Sequence, residues 1–151
     1  MAKRSAGLLM YRHRGDRVEV LLAHPGGPFW AKKDLGAWSI PKGEFDSDED
    51  SLRAAKREFE EETGVTPEGD FIALGAQKQA GGKIVMAWAV EGNCDAPGLK
   101  SNTFSTEWPP RSGRMAEFPE VDRWGWFSVD EAREKILAGQ KAFLEKLVEI
   151  I

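Results

Sequence analysis

The sequence predicts an α/β domain in which a β-sheet lies between helices. The main observation is the order of the segments: two strand-like stretches, an amphipathic helix, two more strands, an irregular stretch, a strand and two helices. Such an order places helices against both faces of one sheet. A length of 151 residues, 41% of them hydrophobic and 30% charged, suits one ordered domain spanning 1–151 with a sizeable core.

Net charge and cysteine content limit the partners and the cellular compartment that the protein is expected to have. The formal net charge is −4, so we expect no broad basic surface for nucleic acid, and an anionic substrate must be held locally. The single Cys94 cannot form an internal disulfide, which favours a reducing compartment. No N-terminal apolar run is long enough for a signal peptide or a membrane span. We therefore expect a cytoplasmic protein without nucleic-acid or membrane partners, either a monomer or a homodimer.

The N-terminal segments predict a β-hairpin. Apolar runs at 4–12 and 17–24 have the composition of strands, and the charged, glycine-containing segment 13–16 between them has that of a turn. His13 and His24 lie near the strand ends, where a structural role is more common than a catalytic one.

A loop is predicted at 25–36, followed by a short strand at 37–41. The loop combines aromatic and basic side chains: Phe29, Trp30, Lys32 and Lys33. Because aromatic rings stack on bases and lysines attract phosphate, this loop could form part of a nucleotide pocket, with Trp30 and Lys32 as substrate contacts. The alternative is a surface loop without a ligand.

The segment 43–65 contains the predicted long helix. Its candidate N-caps, which would also place acids in the first turn, are Asp46, Ser47 and Asp48. Gly64 is placed to end the helix in a left-handed conformation. An apolar stripe that would pack on the sheet consists of Leu52, Ala55 and Phe59.

Three glutamates of this helix, Glu58, Glu61 and Glu62, share one side because they stand at i, i+3 and i+4. Like charges at this spacing cost about a few tenths of a kcal/mol per pair, and acids near a helix C-terminus oppose its dipole. A hard divalent cation would make the arrangement favourable, since carboxylates and substrate phosphates are ligands that Mg²⁺ accepts. The alternative is a solvated helix surface with incidental ion pairing.

Two more strands are predicted at 70–79 and 83–90, and the stretch 91–114 is predicted to be a long loop. Within that loop, Arg111 and Arg114 are candidate polyphosphate contacts because guanidinium groups match phosphate oxygens. The alternative is a loop that only covers the sheet edge.

The C-terminal part predicts a strand at 123–127 and two helices. Ser128 and Glu131 form a capping box at the start of the first helix, and Gly139 is placed to end it. The second helix, 141–150, is amphipathic.

The residues 43–65 resemble the Nudix box, G-x5-E-x7-R-E-U-x-E-E-x-G-U, where U is aliphatic or aromatic. Every fixed position is matched at the required spacing: Gly43, Glu49, Arg57, Glu58, Phe59, Glu61, Glu62, Gly64 and Val65. The resemblance implies the Nudix fold, a mixed sheet between helices. It also implies a metal-dependent hydrolase that cleaves a phosphoanhydride bond in a nucleoside diphosphate linked to another moiety.

The same resemblance implies a set of site residues. Mg²⁺, or Mn²⁺, would be bound by Glu58, Glu61, Glu62 and the main-chain carbonyl of Lys42. Members of the family often have a further acid before the last strand, either as a metal ligand or as the base; Glu120 fits this place best and Glu117 second. The general base would be Glu58, Glu62 or Glu120. Arg57 is expected to orient the carboxylates and to pair with Glu49.

The run 38–43, W-x-x-P-K-G, is similar to a motif in family members that hydrolyse diadenosine and diphosphoinositol polyphosphates, whereas RNA-decapping members more often have P-Q-G. The first expectation is therefore a dinucleoside polyphosphate such as diadenosine tetraphosphate, with Lys42 and Gly43 among its contacts. The alternatives are a nucleoside triphosphate, including an oxidised one, and ADP-ribose. A nucleotide sensor that binds without cleavage is the alternative from another functional class.

Overall fold

The centre of the fold is a mixed β-sheet. The structure is a computed structural model that describes residues 3–46, 48–95 and 102–151. Its strands in these ranges are β1 (Arg4–Arg14), β2 (Arg17–Pro25), β3 (Lys42–Glu44), β4 (Ile72–Lys78), β5 (Ile84–Glu91), β6 (Thr103–Glu107), β7 (Met115–Pro119) and β8 (Val121–Ser128). Its α-helices are α1 (Ser51–Thr63), α2 (Val129–Lys135) and α3 (Lys141–Ile150).

The strand β1 organises the main sheet, whose order is β4-β5-β1-β2-β8 with β3 as a further neighbour of β1. β1 is antiparallel to β2 and parallel to β5, which confirms the N-terminal hairpin and the mixed sheet. The first part of β1 pairs with β3, with Ser5 opposite Glu44 and Gly7 opposite Lys42, whereas its last part pairs with β2. One long strand thus fixes the start of the Nudix box beside the hairpin.

Helices cover both faces of the sheet, as the sequence predicts. Successive side chains of β1 point to opposite faces, so Leu8 packs with Phe59 of α1 whereas Leu9 packs with the buried side chains of α3. Burial of each large apolar side chain contributes about 1.5–3 kcal/mol, and this burial holds the layers together. On α1, Ala55 and Phe59 are buried as predicted, but Leu52 is only half-buried.

The predicted strand at 37–41 is wrong. Only two isolated bridges form there, at Trp38 and Ser39. Main-chain hydrogen bonds join Ser39 to Ala23 of β2 and Trp38 to the end of α2. The buried Gln140 accepts a further hydrogen bond from the Ile40 N–H at 3.0 Å and donates one to the Ser39 hydroxyl at 3.0 Å. These partners are distant in the chain, so local composition does not reveal them.

The stretch 91–114, predicted to be a long loop, is partly a hairpin. Residues 96–101 lie outside the described part of the chain, but β6 and β7 form a two-stranded antiparallel sheet in which Thr103 lies opposite Pro119. Only alternate residues of each strand are partly buried, around the Phe104 and Phe118 rings. These strands contain few apolar residues and have proline- and glycine-rich flanks, so the sequence pattern predicts a loop rather than a hairpin.

The start of α1 also differs from its prediction. Ser47 lies outside the described residues, and the N-cap is Asp50, whose carboxylate accepts a main-chain N–H of the first turn at 3.2 Å. Neither Asp46 nor Asp48 caps the helix, because both lie in the segment that connects β3 to α1. The first turn of α1 contains no acidic residue. At the other end, Gly64 has φ 78°, which confirms the left-handed termination.

The C-terminal helices follow their prediction with one difference. Ser128 caps α2 by accepting the Glu131 N–H at 3.2 Å, but α2 ends at Lys135 and Gly139 lies in a separate 3-10 turn. α3 has the predicted bounds. Among the described residues, the longest apolar helical stretches fall short of what a membrane crossing needs.

Candidate active site

The start of the Nudix box is held tightly between β1 and α1. The Leu8 N–H donates to the Pro41 carbonyl at 3.1 Å, and β3 follows immediately in the ladder with β1. Gly43 faces α1 so closely that a Cβ atom there would lie 2.1 Å from the carboxyl carbon of Glu58. The residue must therefore be glycine for the Glu58 carboxylate to touch the main chain at this point.

Glu62 is a buried carboxylate with an unsatisfied oxygen. The residue is 8% exposed, and its Oε2 atom finds no hydrogen-bond partner among the described residues. Burial, with smaller contributions from the negative charges of Glu58 and Glu120, raises the pKa of Glu62 to about 8. An ionised carboxylate in such surroundings is costly without a partner, so the position favours a proton or a cation.

Glu58 lies beside Glu62 and is oriented by Arg57. Its side chain is 15% exposed, and burial raises its pKa although the Arg57 guanidinium opposes the shift. Arg57 donates to Glu58 at 2.9 Å and forks onto the Glu49 carboxylate at 2.9 and 3.1 Å. The expected pairing of Arg57 with Glu49 is thus present, and it holds the guanidinium where it can direct Glu58.

Glu61 is the outer member of the patch. Its side chain is 49% exposed, and its Oε1 atom lies 3.6 Å from the Arg57 guanidinium. Within the ranges that the structure describes, no three acidic, histidine or cysteine side chains already surround one point as metal ligands would. By their exposures, Glu58 and Glu62 lie mostly inside the protein, whereas Glu61 lies at the surface beside them.

The donor set nevertheless fits a hard divalent cation. Glu62 offers an oxygen without a partner in the described part of the chain, and Glu58 adds a second carboxylate in contact with the main chain of Gly43. Oxygen donors of this kind suit Mg²⁺. A cation here would satisfy the orphaned oxygen and offset the repulsion that, with burial, raises the pKa of Glu62.

A cavity of about 240 Å³ opens beside Glu62. Its polar lining includes Lys42 and Glu120, and burial lowers the pKa of the Lys42 amino group. The rest of the wall is mainly apolar and is formed by Ala23, Pro25, Trp30, Ala37, Ile40, Pro41, Val121 and Leu137. An apolar wall next to acids and an amine suits a ligand with a flat base and charged phosphates.

The structure separates the two candidates for an extra acid. Glu120 lines the cavity, and its negative charge contributes to the raised pKa values of Glu58 and Glu62. Glu117 lies on β7, where its carboxylate accepts a hydrogen bond from the Thr103 hydroxyl at 3.2 Å. Glu120 therefore belongs to the acidic group around the cavity, and Glu117 does not.

Not every predicted substrate contact reaches the cavity. Trp30 lines it, and the Lys33 amino group lies 4.9 Å from the Trp30 ring centre. Lys32 is exposed on the same loop and is not part of the lining. Arg111 and Arg114 are exposed at the tip of the β6–β7 hairpin, also outside the cavity.

The sequence does not reveal the apolar wall, because its residues come from segments far apart in the chain. Leu137, for example, follows α2, yet its N–H donates to the Trp38 carbonyl at 2.8 Å and this bond brings it to the cavity. The end of α2 and the end of the loop 25–36 are far apart in the sequence and come together only in the folded protein. The signal that points to the region in the sequence is the Trp38–Gly43 motif itself, since four of its residues line the cavity: Ser39, Ile40, Pro41 and Lys42.

His24 has the structural role that its position suggests, and it supports the cavity loop. The side chain is fully buried, with Nδ1 2.7 Å from the Asp122 carboxylate and Nε2 2.6 Å from the Lys33 carbonyl. The imidazole therefore ties the loop that carries Trp30 to the strand that follows Glu120.

Replacement of His24 by alanine is expected to lower the free energy of unfolding by about 2–4 kcal/mol, because it leaves a cavity and two polar groups without their partner. Urea denaturation followed by circular dichroism measures the change. His13→Ala is the matched control, since that side chain is 53% exposed, lies 3.9 Å from the Glu91 carboxylate and has its ring centre 6.1 Å from that of Tyr11. Equal stability of the two variants would contradict the anchoring role of His24.

Comparison with known proteins gives one consistent result. Residues 1–147 match the family described as the NUDIX domain. An RNA pyrophosphohydrolase of Caulobacter vibrioides is 30% identical over 157 residues, which cover 91% of this chain and 84% of that protein. The asymmetrical bis(5'-nucleosyl)-tetraphosphatase of Caenorhabditis elegans is 37% identical over 68 residues, 45% of each chain.

Among solved structures, a binary complex of the Ap4A hydrolase of Caenorhabditis elegans superposes with a TM-score of 0.65 at 24% identity, covering 96% of both chains. This similarity confirms the Nudix fold, a mixed sheet between helices. The family match extends over nearly the whole chain and includes the box at 43–65. The chain therefore belongs to the Nudix family and is a Nudix hydrolase.

Proposed function

We propose that this chain hydrolyses a phosphoanhydride bond in a nucleoside diphosphate linked to a second moiety, with Mg²⁺ or Mn²⁺ as its cofactor. The cation would be held by Glu58, Glu61, Glu62, Glu120 and the main-chain carbonyl of Lys42. The observation that carries the proposal is the buried Glu62, which lies beside Glu58 at the wall of a cavity and has one oxygen without a partner among the described residues. An ionised carboxylate in such a position is unfavourable unless a cation balances its charge.

The residues of the chain divide the work between them. Trp30 and the apolar wall would hold a base, and Lys42, partly buried at the same cavity, would contact phosphate. The cation would supply the positive charge that offsets the diphosphate oxygens and acidifies nearby water. Arg57 would keep Glu58 in its orientation through the bonds to Glu58 and Glu49.

The proton of the attacking water needs an acceptor within hydrogen-bond reach. Three carboxylates are candidates: Glu62 and Glu120 line the cavity, and Glu58 lies beside Glu62. Glu58 already accepts a hydrogen bond from Arg57, whereas Glu62 keeps one oxygen without a partner in the described residues. We expect the base to be one of these three, and the pH dependence of kcat/KM in single Gln variants to identify it.

The first proposed substrate is a dinucleoside polyphosphate such as diadenosine tetraphosphate. The W-x-x-P-K-G run at 38–43 and the similarity to a bis(5'-nucleosyl)-tetraphosphatase support it. The second candidate is the 5'-triphosphate end of an RNA, because the Caulobacter relative that is matched over most of its length is named an RNA pyrophosphohydrolase. Both substrates join a nucleoside to a polyphosphate, so they place the same demands on the acidic site.

A product screen tests these assignments. Diadenosine tetraphosphate, a 5'-triphosphorylated RNA, ATP, 8-oxo-dGTP and ADP-ribose would each be incubated with Mg²⁺ or with chelator, and the products identified by mass. We expect Mg²⁺-dependent cleavage, fastest for diadenosine tetraphosphate. Tight binding by calorimetry without any product would instead identify a nucleotide sensor, and cleavage in the presence of chelator would contradict the proposed cofactor.

A further inference from the structure

The cavity beside Glu62 is smaller than a substrate with two nucleosides requires. It measures about 240 Å³, whereas pockets that enclose a drug-sized ligand measure about 300–1,000 Å³. A dinucleoside polyphosphate must therefore place one nucleoside outside the cavity. The surface that continues the cavity wall is formed by the loop 25–36 and the β6–β7 hairpin.

The hairpin is fixed to the cavity loop at its base. The Gly26 N–H donates to the Glu120 carbonyl at 2.9 Å. A Cβ atom on Gly26 would lie 1.9 Å from the Pro119 oxygen, and one on Gly27 would lie 2.8 Å from the Phe104 ring. These close approaches and the hydrogen bond hold the base of the hairpin against the loop, so the two segments form one continuous surface.

The same surface carries an exposed aromatic pair at the edge of the cavity. Phe29 packs edge-to-face on Trp108 of the hairpin, with ring centres 5.7 Å apart. Trp30, the residue that follows Phe29, lines the cavity, so the aromatic pair lies next to the cavity wall. Phe29 is 60% exposed and Trp108 is 36% exposed, although large apolar rings gain stability from burial.

Two arginines accompany this pair. Arg111 and Arg114 are exposed beside Trp108, and within the described ranges neither guanidinium has an ion pair or a hydrogen bond, unlike Arg57 and Arg133. We call Phe29, Trp108, Arg111 and Arg114 the rim cluster. Its combination of aromatic rings and unpaired guanidinium groups matches a base followed by phosphates.

The turn that carries these arginines is pre-formed. The Glu107 carboxylate accepts the N–H groups of Arg111 at 2.9 Å and Gly113 at 3.2 Å. Arg111 itself has φ 61°, a left-handed conformation that residues other than glycine rarely adopt. The carboxylate thus holds the tip in one conformation, and less freedom is lost when a ligand binds there.

We propose that the rim cluster is the binding site for the second nucleoside of a dinucleoside polyphosphate whose first nucleoside lies in the cavity. The exposed Phe29 and Trp108 rings would stack on the second base, a contact that tolerates any base. Arg111 and Arg114 would contact the phosphates nearest to it. The inference rests on the proposed hydrolase function, because it takes the cavity and its acids as the site of the first nucleoside diphosphate.

Calorimetry with non-hydrolysable analogues tests the proposal without depending on turnover. The probes are methylene-bridged diadenosine tetraphosphate and methylene-bridged ATP, each with Mg²⁺, added to the wild type, Trp108→Ala and the double variant Arg111→Ala/Arg114→Ala. We expect each variant to bind the dinucleoside analogue about tenfold more weakly, as removal of one stacking or phosphate contact typically does. Binding of the ATP analogue should not change.

Arg17→Ala is the matched control. It removes one exposed guanidinium at the start of β2, roughly 26 Å along the strand from the cavity end at Pro25, and both affinities should stay at the wild-type value. Circular dichroism verifies that each variant folds. Phe29→Ala replaces Trp108→Ala should that variant not fold.

The outcomes separate the inference from the proposed function. Equal weakening of both analogues, or no weakening of either, would overturn the rim cluster as a second-nucleoside site. So would a tenfold loss confined to a short 5'-triphosphorylated RNA probe, which would assign the cluster to RNA instead. Selective loss for the dinucleoside analogue, in a protein that yields no product in the screen, would support the site while refuting hydrolysis.

Discussion

Glu62→Gln is expected to lower kcat by about 10²–10³-fold, the loss typical when one preorganised charged or polar contact of an active site is removed. The amide keeps the volume of the buried side chain, so α1 and the sheet should remain folded. What disappears is a carboxylate beside Glu58, one oxygen of which has no partner in the described part of the chain and could bind a cation. Steady-state kinetics at saturating and limiting Mg²⁺, with diadenosine tetraphosphate, measure the loss.

Glu60→Gln provides the matched control, since this exposed glutamate precedes Glu62 by two residues and points to the other side of α1. Its kcat should stay near the wild-type value. Glu61→Gln should resemble Glu62→Gln, because it removes the outer acid of the same patch. Near-normal kcat for either patch variant at limiting Mg²⁺ would rule out the proposed metal site.

The effect of Glu62→Gln on stability should have the opposite sign to its effect on turnover. The fold raises the pKa of Glu62 from 4.5 to about 8, so the native state holds this proton more tightly than the unfolded state does. The resulting contribution to stability is fully present below about pH 4.5 and is lost as the pH rises through 8. In chelator, raising the pH from 5 to 8 should cost the wild type on the order of a few kcal/mol more than it costs Glu62→Gln. Urea denaturation at the two pH values measures this difference, and parallel curves would show that Glu62 titrates normally.

Local sequence pattern predicts those parts of the fold whose conformation depends mainly on residues that are neighbours in the chain. The β1–β2 hairpin follows from two apolar runs around a Gly-Asp turn, and the end of α1 follows from Gly64, which reaches φ 78°. The acidic patch is likewise local, because helical periodicity alone places Glu58 and Glu62 on one side. These features needed no knowledge of the rest of the chain.

The features that the sequence hides depend on partners distant in the chain. The segment 37–41 has a strand-like composition, yet it forms only isolated bridges, and its main chain bonds to Ala23, to the end of α2 and to the buried Gln140. β6 and β7 form a hairpin although their strands are short and half polar, and Gly26 and Gly27 of a distant segment pack closely against it. Tertiary contacts outweigh local propensity in both places.

The candidate site shows the same division. The box and Lys42 could be identified from spacing, and the structure adds that Glu62 is buried and Glu61 is not. Burial cannot be read from a run of similar acids, because all of them look equally polar in the sequence. The cavity wall, including Leu137 from beyond α2, required the fold itself.

Gly43→Ala is expected to lower kcat by about 10-fold or more while changing the free energy of unfolding little. The new methyl carbon would lie 2.1 Å from the Glu58 carboxyl carbon, a distance that two non-bonded atoms do not tolerate. The atoms that it meets belong to the end of a flexible side chain, so Glu58 can rotate away cheaply and the backbone can stay in place. Displacement of a catalytic group by about 1 Å can by itself cost up to about 10²-fold in rate.

Gly92→Ala is the matched control for this substitution, because the three atoms nearest to the added carbon all belong to the flexible Met10 side chain, the closest at 3.0 Å. A double-mutant cycle with Glu58→Ala then isolates the cause. If the methyl group acts only by moving the Glu58 carboxylate, Gly43→Ala should have no further effect on kcat once that carboxylate is absent, and the two effects will be strongly non-additive. Fully additive losses would mean instead that the methyl group acts on something else near β3, such as the Lys42 carbonyl, and that the close packing of Gly43 on α1 serves the backbone rather than Glu58.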